Sequence, residues 1–296
     1  MTKLAHAFLA LLVVLLLLAL RGCGGVRAGT YNIRRFGVEP TDLPRLAAIV
    51  EESRADVLAL QEIEAEAAPR ALAARLSRRG RSFVVALSTC GGRSGMRVGF
   101  LYDETRVRLV GTREFRELEP EGGACSTGER PGLAGTFADA RTGRAFTLLA
   151  VHLQAGGAPD RLAIRKEQWR RALALVKRLE ADGRGPVALL GDTNSTGFLD
   201  DRGGERTFIL DSAARANAEV LTRGLACSEY YGPLEEGGPL VPSLLDHVVS
   251  SPGLASASSV RVHGQCAALA CRPAATAPPE HVTVSDHCPV TFDVTP

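Results

Sequence analysis

Carboxylates, imidazoles and carboxamides recur in this 296-residue chain immediately after short apolar runs. In order, the runs are Thr30-Tyr31-Asn32-Ile33, Leu58-Ala59-Leu60-Gln61-Glu62, Gly99-Phe100-Leu101-Tyr102-Asp103, Leu148-Leu149-Ala150-Val151-His152-Leu153, Leu189-Leu190-Gly191-Asp192-Thr193-Asn194, Leu244-Leu245-Asp246-His247 and Ser285-Asp286-His287. Asp192 and Asn194 stand two residues apart after Gly191, which lets the chain turn sharply and approach a ligand closely. One can orient a water while the other donates to a phosphate oxygen. Glu62 offers the oxygen ligation that suits a hard ion such as Mg²⁺. Asp286 and His287 place a metal ligand beside a proton acceptor, and Asp246 is suited to hold the His287 imidazole in its useful tautomer. His152 can hydrogen-bond a non-bridging oxygen or a leaving group. His247, adjacent to Asp246, is expected on the opposite face of its strand. Burying so many ionisable groups without pairing would be expensive, and a metal-assisted hydrolytic site accounts for them.

These residues need strands that stop on one side. Apolar runs of four to six residues bounded by turn formers read as buried strands, so a polar residue at the stop sits at a sheet edge. Further strands are expected at 83–87, 98–102, 107–110, 135–137, 146–153, 186–190, 244–249 and 290–294. Helices are expected at 42–53, capped by Thr41 or Asp42, at 69–79, and at 161–180, where Leu162, Trp169, Leu173, Val176 and Leu179 form a stripe. Trp169 on that stripe reads as core. Residues 122–131, 197–204 and 273–279 read as loops. Strands alternate with helices, yet several consecutive strands are joined by short turns, which argues for mixed rather than purely parallel sheets.

With 45% hydrophobic residues the chain can build a large core, and a net charge of +2 says little about partners. Arg greatly outnumbers Lys, which suits phosphate through its planar fork, but a GC-rich genome is the preferred reading of that bias. Residues 1–25 read as a signal peptide or lipoprotein signal and 26–296 as a single domain. Lys3 precedes an apolar stretch from Ala7 to Leu20, shorter than the roughly 20 residues of a membrane span. Leu20-Arg21-Gly22-Cys23 resembles a lipobox, with Arg21 departing from its pattern. Val26-Arg27-Ala28 offers a second cleavage site, and an uncleaved anchor is the third alternative. Six cysteines besides Cys23 imply disulfides in an exported chain, with 15 connectivities open. Cys90–Cys125 and two pairs within the last four are expected. No Cys-x-x-Cys spacing points to zinc.

The ordered set of runs resembles the endonuclease/exonuclease/phosphatase superfamily, the deoxyribonuclease-I-like group, over nearly the whole chain after residue 25. The resemblance implies a four-layer αββα sandwich of two packed mixed β-sheets, with the site at one end. It also implies phosphoester cleavage dependent on Mg²⁺, with Mn²⁺ able to substitute. Carried over motif by motif, Glu62, Asn32 and Asp286 would hold the metal. His287, supported by Asp246, would act as base or bind the scissile phosphate. Asp192 would align or deprotonate the attacking water, Asn194 would stabilise the transition state, and His152 would bind phosphate or assist departure. Tyr102, Arg97 and Arg130 would contact phosphate. The expectation is therefore an exported, monomeric, metal-dependent phosphodiesterase, a nuclease first, with Arg93, Arg97 and Arg202 available to a nucleic acid. A phospholipid or sphingolipid phosphodiesterase, or an inositol-phosphate phosphatase, is the alternative. A lipid anchor at Cys23 would favour a membrane substrate, although few aromatics are available for insertion. A surface binding protein without catalysis is the third reading.

Overall fold

The computed structural model describes residues 25–119, 125, 128, 130–232 and 238–295. In chain order the elements are β1 (Arg27–Phe36), α1 (Leu43–Ser53), β2 (Val57–Ile63), α2 (Ala67–Leu76), β3 (Phe83–Leu87), β4 (Arg97–Asp103), β5 (Val107–Phe115), β6 (Gly132–Asp139), β7 (Ala145–His152), α3 (Pro159–Ala181) and β8 (Val187–Asp192). Then follow α4 (Glu205–Arg215), β9 (Glu219–Val220), β10 (Glu229–Tyr231), β11 (Val241–Ser243), β12 (Asp246–Ser250), β13 (Arg261–Val262), α5 (Gly264–Ala268), α6 (Pro279–Thr283) and β14 (Val290–Asp293). One six-stranded sheet has the order β13-β14-β1-β2-β4-β3, and the other β5-β6-β7-β8-β12-β9. β10 and β11 form a separate hairpin.

Each sheet is mixed. β1 and β2 run parallel, as do β7 and β8, and the other neighbours are antiparallel. A parallel pair needs a crossover, and α1 and α3 supply it in the two sheets. Asp42 caps α1 by accepting from the Arg45 amide at 2.9 Å. The helix expected at 69–79 instead begins at Ala67 and stops at Leu76. There the Ser77 hydroxyl donates to Ala73 O and accepts from Phe83 N, turning the chain into β3.

Strand alternation sorts the core into layers. Val57, Ala59, Val98 and Phe100 of the first sheet pack between the sheets against Phe137, Leu148, Ala150, Ala188 and Leu190 of the second. The intervening residues Leu58, Leu60 and Leu101 point outward under α1 and α2, meeting Leu46, Ile49, Val50 and Leu72. Leu149, Val151, Val187 and Leu189 face outward under α3 and α4, meeting Trp169, Leu173, Val176 and Ile209. The strands are apolar on both faces because both faces are covered. The result is a four-layer αββα sandwich.

Disulfides join Cys90 to Cys125, Cys227 to Cys271 and Cys266 to Cys288. Three such bonds indicate an oxidising environment. No helix among the described residues is long and apolar enough to cross a membrane. Cys23 and the apolar stretch before it lie outside the described residues.

Candidate active site

Three neighbouring strands of the second sheet deliver one row of side chains. His152 at the end of β7 is level with Asp192 at the end of β8, and Asp246 at the start of β12 lies opposite Asp192. His152 is in phase with Leu148 and Ala150, and Asp192 with Ala188 and Leu190, so both side chains point into the gap between the sheets. Asn32 of β1 enters the same gap from the other sheet. Its Nδ2 donates to Asp192 Oδ2 at 2.9 Å and to Glu62 Oε1 at 3.1 Å, joining the two layers.

Glu62 reaches this place by a backbone device. Simple alternation along β2 puts Gln61 inward, where its Oε1 accepts from Thr30 Oγ1 at 3.0 Å. The register slips on both sides of β2 near Glu62, and Glu62 itself has φ of 61°. That conformation costs a non-glycine residue of order 1–3 kcal/mol and turns its carboxylate back toward the cleft. Oε2 is fixed by the Arg35 amide at 3.0 Å. Gly191, with φ of 148°, answers a different need. A Cβ there would lie 1.9 Å from Val151 O, so only glycine lets β8 run this close to β7.

Asp192 is the hub. Its Oδ1 accepts from the Asn194 amide at 2.9 Å, and its Oδ2 lies 3.3 Å from His152 Nε2 and 3.7 Å from His287 Nε2. Burial, reinforced by the charge of Asp246, pushes its carboxyl up to about 7, against the opposing pull of His287 and Asn32. His287 Nδ1 meets Asp246 Oδ2 at 2.8 Å, so Nε2 faces Asp192. Burial alone would lower this imidazole, but Asp246, Asp192 and Asp286 outweigh it and hold it well above the ordinary histidine range. His152 behaves oppositely: burial, then the charges of Arg130 and His287, hold it well below that range, so it stays neutral. Ser285 ties β1 to the segment that leads into β14. Its hydroxyl donates to Asn32 O at 2.8 Å and accepts from His287 N at 3.1 Å. Asn194 directs Nδ2 to Leu153 O at 3.2 Å.

The structure therefore brings Asn32, Glu62, His152, Asp192, Asn194, Asp246 and His287 to one end of the sandwich. Asp286 is adjacent but keeps other company: it groups with Glu229 and His287, whereas Glu62 groups with His152 and Asp192. Arg130 braces the turn after β7, donating from Nε to His152 O at 3.2 Å and from Nη2 to Leu153 O at 3.1 Å. Arg97 stands at the same end, opposite Ile63, with its guanidinium 3.6 Å from Glu66. Tyr102 is not brought to the site. β4 runs antiparallel to β2, so Tyr102 lies opposite Val57 at the far end, about 16 Å of strand from Arg97. Its ring packs on Phe137. His247 points to the other face, as its position beside Asp246 requires, and its Nδ1 meets Thr222 Oγ1 at 2.8 Å.

Two features escape a reading by motifs. Glu229 is only 5% exposed beside His287, and burial pushes its carboxyl up to about 7. Arg165 and Glu205 form a wholly buried ion pair beneath the turns that follow His152 and Asp192. An isolated acid two residues after the disulfide cysteine Cys227 was the one available signal for Glu229.

The family model described as Endonuclease/Exonuclease/phosphatase family matches residues 29–287. The chain belongs to this family. Its activity class is phosphoester hydrolysis, and the family depends on a divalent metal. No curated protein sequence matches the chain. Zebrafish (D. rerio) TDP2 complexed with a single-strand DNA product is similar in structure, with TM-score 0.59 and 14% identity over 92% of this chain and 99% of that one. A mannosyl-6-phosphatase from Bacteroides thetaiotaomicron gives 0.58 and 16% over 91% and 99%. The catalytic domain of human Nocturnin with bound sulfate gives 0.57 and 16% over 92% and 94%. At such identities these neighbours establish the fold.

The residues present fit a family metal. Asn32 Oδ1 is buried with no hydrogen-bond partner among the described residues, in a cleft that also holds the Glu62 and Asp192 carboxylates. An unsatisfied amide oxygen and two carboxylates in one cleft are hard-ion donors.

Proposed function

We propose that the protein is an exported Mg²⁺-dependent phosphodiesterase that cleaves nucleic acid. The observation that carries the reading is the convergence of Glu62, Asn32, Asp192, His152 and the Asp246–His287 pair on one cleft. Glu62 and Asn32 would hold the ion, with Asp192 beside them. When bound, Mg²⁺ neutralises charge on a phosphate oxygen as a Lewis acid.

The remaining work falls to the chain's own groups. Asp192 receives a proton from the attacking water at its carboxylate, and the Asn194 amide, which donates to Asp192 Oδ1, fixes that carboxylate's orientation. His287, held through Nδ1 by Asp246, presents a charged Nε2–H to a non-bridging oxygen. Neutral His152 can donate to the phosphate or the departing oxygen without adding charge. Arg130 positions His152 by gripping its carbonyl. Water's oxygen bonds phosphorus, the ester P–O bond breaks, the departing oxygen takes a proton from solvent, Asp192 returns its proton to solvent, and the products are an alcohol and a phosphomonoester. Fixed donors meeting the charge that grows on phosphate oxygens supply most of the acceleration.

Export is supported by the three disulfides and by the signal-like sequence of residues 1–25, with residues 26–296 as one catalytic domain. A lipid at Cys23 remains the variant of that proposal that would retain the enzyme at a membrane. The single-strand DNA held by one structural neighbour supports nucleic acid as substrate. The sugar-phosphate name of another supports the second reading, a phosphatase or phosphodiesterase of small phosphorylated molecules.

The full chain incubated with Mg²⁺ and a panel of plasmid, RNA oligonucleotide, sugar phosphate, inositol phosphate and sphingomyelin vesicles tests both. Cleavage of nucleic acid that stops on chelation, and falls by orders of magnitude in Asp192→Asn and His287→Ala, is the expected result. Turnover indifferent to chelator and to both substitutions would refute the mechanism, and turnover confined to the small phosphates would move the assignment to the second reading.

A further inference from the structure

The end of the sandwich opposite the cleft is lined with arginine. β1 enters the first sheet there at Arg27 and reaches Asn32 about 17 Å of strand later. Around the entry lies a cavity of about 830 Å³ whose wall includes Gly25, Arg27, Arg54, Arg81 and Arg106. The wall also carries Asp56, Asp103 and Asp293. Each acid is met by an arginine of the wall: Asp293 by Arg27 at 2.7 Å, Asp103 by Arg81 at 2.6 Å and Asp56 by Arg106 at 3.4 Å. Arg54 is left over. It is exposed, and its side chain makes no hydrogen bond or ion pair with the described residues. The same holds for Arg79, beside the lining Gly80, and for Arg141 and Arg184 in the turns that open β7 and β8 at this end.

The N-terminal segment leaves the fold at this cavity. Arg106 Nη2 donates to Gly25 O at 3.1 Å and Val294 N to Val26 O at 2.8 Å, which fixes the exit. Cys23, in its lipobox-like surroundings, stands two residues before Gly25, a reach of at most about 7 Å. A lipid on Cys23, or an uncleaved apolar stretch, sets these arginines close to a bilayer. Charge is felt over about 8 Å at physiological ionic strength, and basic side chains at that range are drawn to anionic headgroups. The place where the chain leaves and the unmatched arginines are independent observations, and they point to one occupant.

We propose that this arginine-lined end docks on the anionic phospholipid headgroups of the membrane that holds the N-terminal segment. Docking of this kind needs the anchored form of export; it does not need the catalytic reading. β1 then rises away from the bilayer, and the cleft at its other end opens to solution. An anchor at Cys23 thus presents the site to soluble phosphodiesters rather than to lipids of the same membrane.

Hydrogen exchange read by mass spectrometry tests the orientation. The full chain recovered from membranes is reconstituted in phosphatidylcholine vesicles with or without phosphatidylglycerol. Residues 54–56, 79–81 and 104–106 should exchange more slowly when phosphatidylglycerol is present, while residues 193–196 and 285–287 at the cleft exchange as they do in detergent. Arg54→Ser/Arg79→Ser should cut that protection by about fivefold for each arginine, the worth of one basic side chain at an anionic surface. Slowed exchange at the cleft instead would reverse the orientation and overturn the inference. Equal protection by inorganic phosphate in detergent would mark a site for a free anion and overturn it as well. Intact mass reports the tether separately. A mature chain cut after Ala28 refutes the anchored form of export, whereas a tethered chain whose arginine loops stay unprotected refutes the docking alone.

Discussion

Removing the charge from Glu205 should destabilise the protein and slow it together. Arg165 in α3 and Glu205 at the start of α4 are both fully buried. Arg165 Nε donates to Glu205 Oε1 at 2.5 Å and Nη2 to Oε2 at 3.2 Å. Nη1 donates to Gln154 O at 2.9 Å and Gly156 O at 2.7 Å, and Nη2 to Thr196 Oγ1 at 3.2 Å. Gly197 N donates to Glu205 Oε2 at 2.9 Å. Every acceptor position on Glu205 thus faces N–H groups. Glu205→Gln keeps the shape, yet its amide must point two hydrogens at one of these donors, and the Arg165 charge is left buried and unmatched. Breaking one partner of a buried pair costs about 3–5 kcal/mol. For a domain of this size that lowers the melting temperature by about 6–20 °C, at roughly 2–4 °C per kcal/mol. The chain's single tryptophan, Trp169, is fully buried one turn along α3, so urea unfolding can be followed by its fluorescence. The double variant Arg165→Met/Glu205→Met should recover much of the loss, because no lone charge remains. The pair also holds residues 154–156 against 196–197, the turns that follow His152 and Asp192. In Glu205→Gln, kcat measured well below the melting point should drop about 10- to 100-fold, as small misplacements of reacting groups do. A Glu205→Gln variant within about 1 kcal/mol of the parent, outside the range for a broken buried pair, would refute the argument.

Two further outcomes follow from buried groups. Burial pushes His247 down to about 3, so it folds neutral. The unfolded chain takes up that proton below about pH 6.5 while the folded chain does not, so stability is intact above this pH and is lost as pH falls toward 3. Between pH 7.5 and 5 the parent should lose about 2 kcal/mol more than His247→Leu in urea titrations; equal losses would sink the assignment. Gly191→Ala places a methyl 1.9 Å from Val151 O at a φ that alanine disfavours. It should cost about 3 kcal/mol or more in the same assay, and a smaller loss would mean that β7 and β8 can separate without penalty.

The row His152–Asp192–Asp246 was legible because each residue closes an apolar strand with period-two alternation, and the parallel pairing of β7 and β8 brings like ends together. His247 was assigned to the opposite face on the same ground. Tyr102 closes a run of the same appearance, Gly99 to Tyr102, yet lies far from the cleft. A run's composition carries no direction, and β4 returns antiparallel to β2, so its C-terminal end falls at the opposite edge. Glu62 was recognised by type, but strict alternation turns Gln61 inward and Glu62 out; a register slip and a positive φ bring Glu62 to the cleft as well. The helix α4 was not anticipated because only Glu205, Ile209 and Ala213 are buried on it, too narrow a stripe to stand out.

By itself, the order of residue types along the chain determined the family, the layered αββα architecture and the members of the acid–imidazole set. Local alternation and the residues that terminate strands are written in consecutive positions, so they survive without coordinates. Which carboxylates stand together, that Asp286 groups with Glu229 rather than Glu62, and that Arg165 and Glu205 lie beneath the site were decided only by tertiary structure. Those relations depend on strand direction, register and contacts between distant segments, 160 positions apart for Asn32 and Asp192 and 253 for Asn32 and Ser285. Distances of that kind are set by how the layers pack.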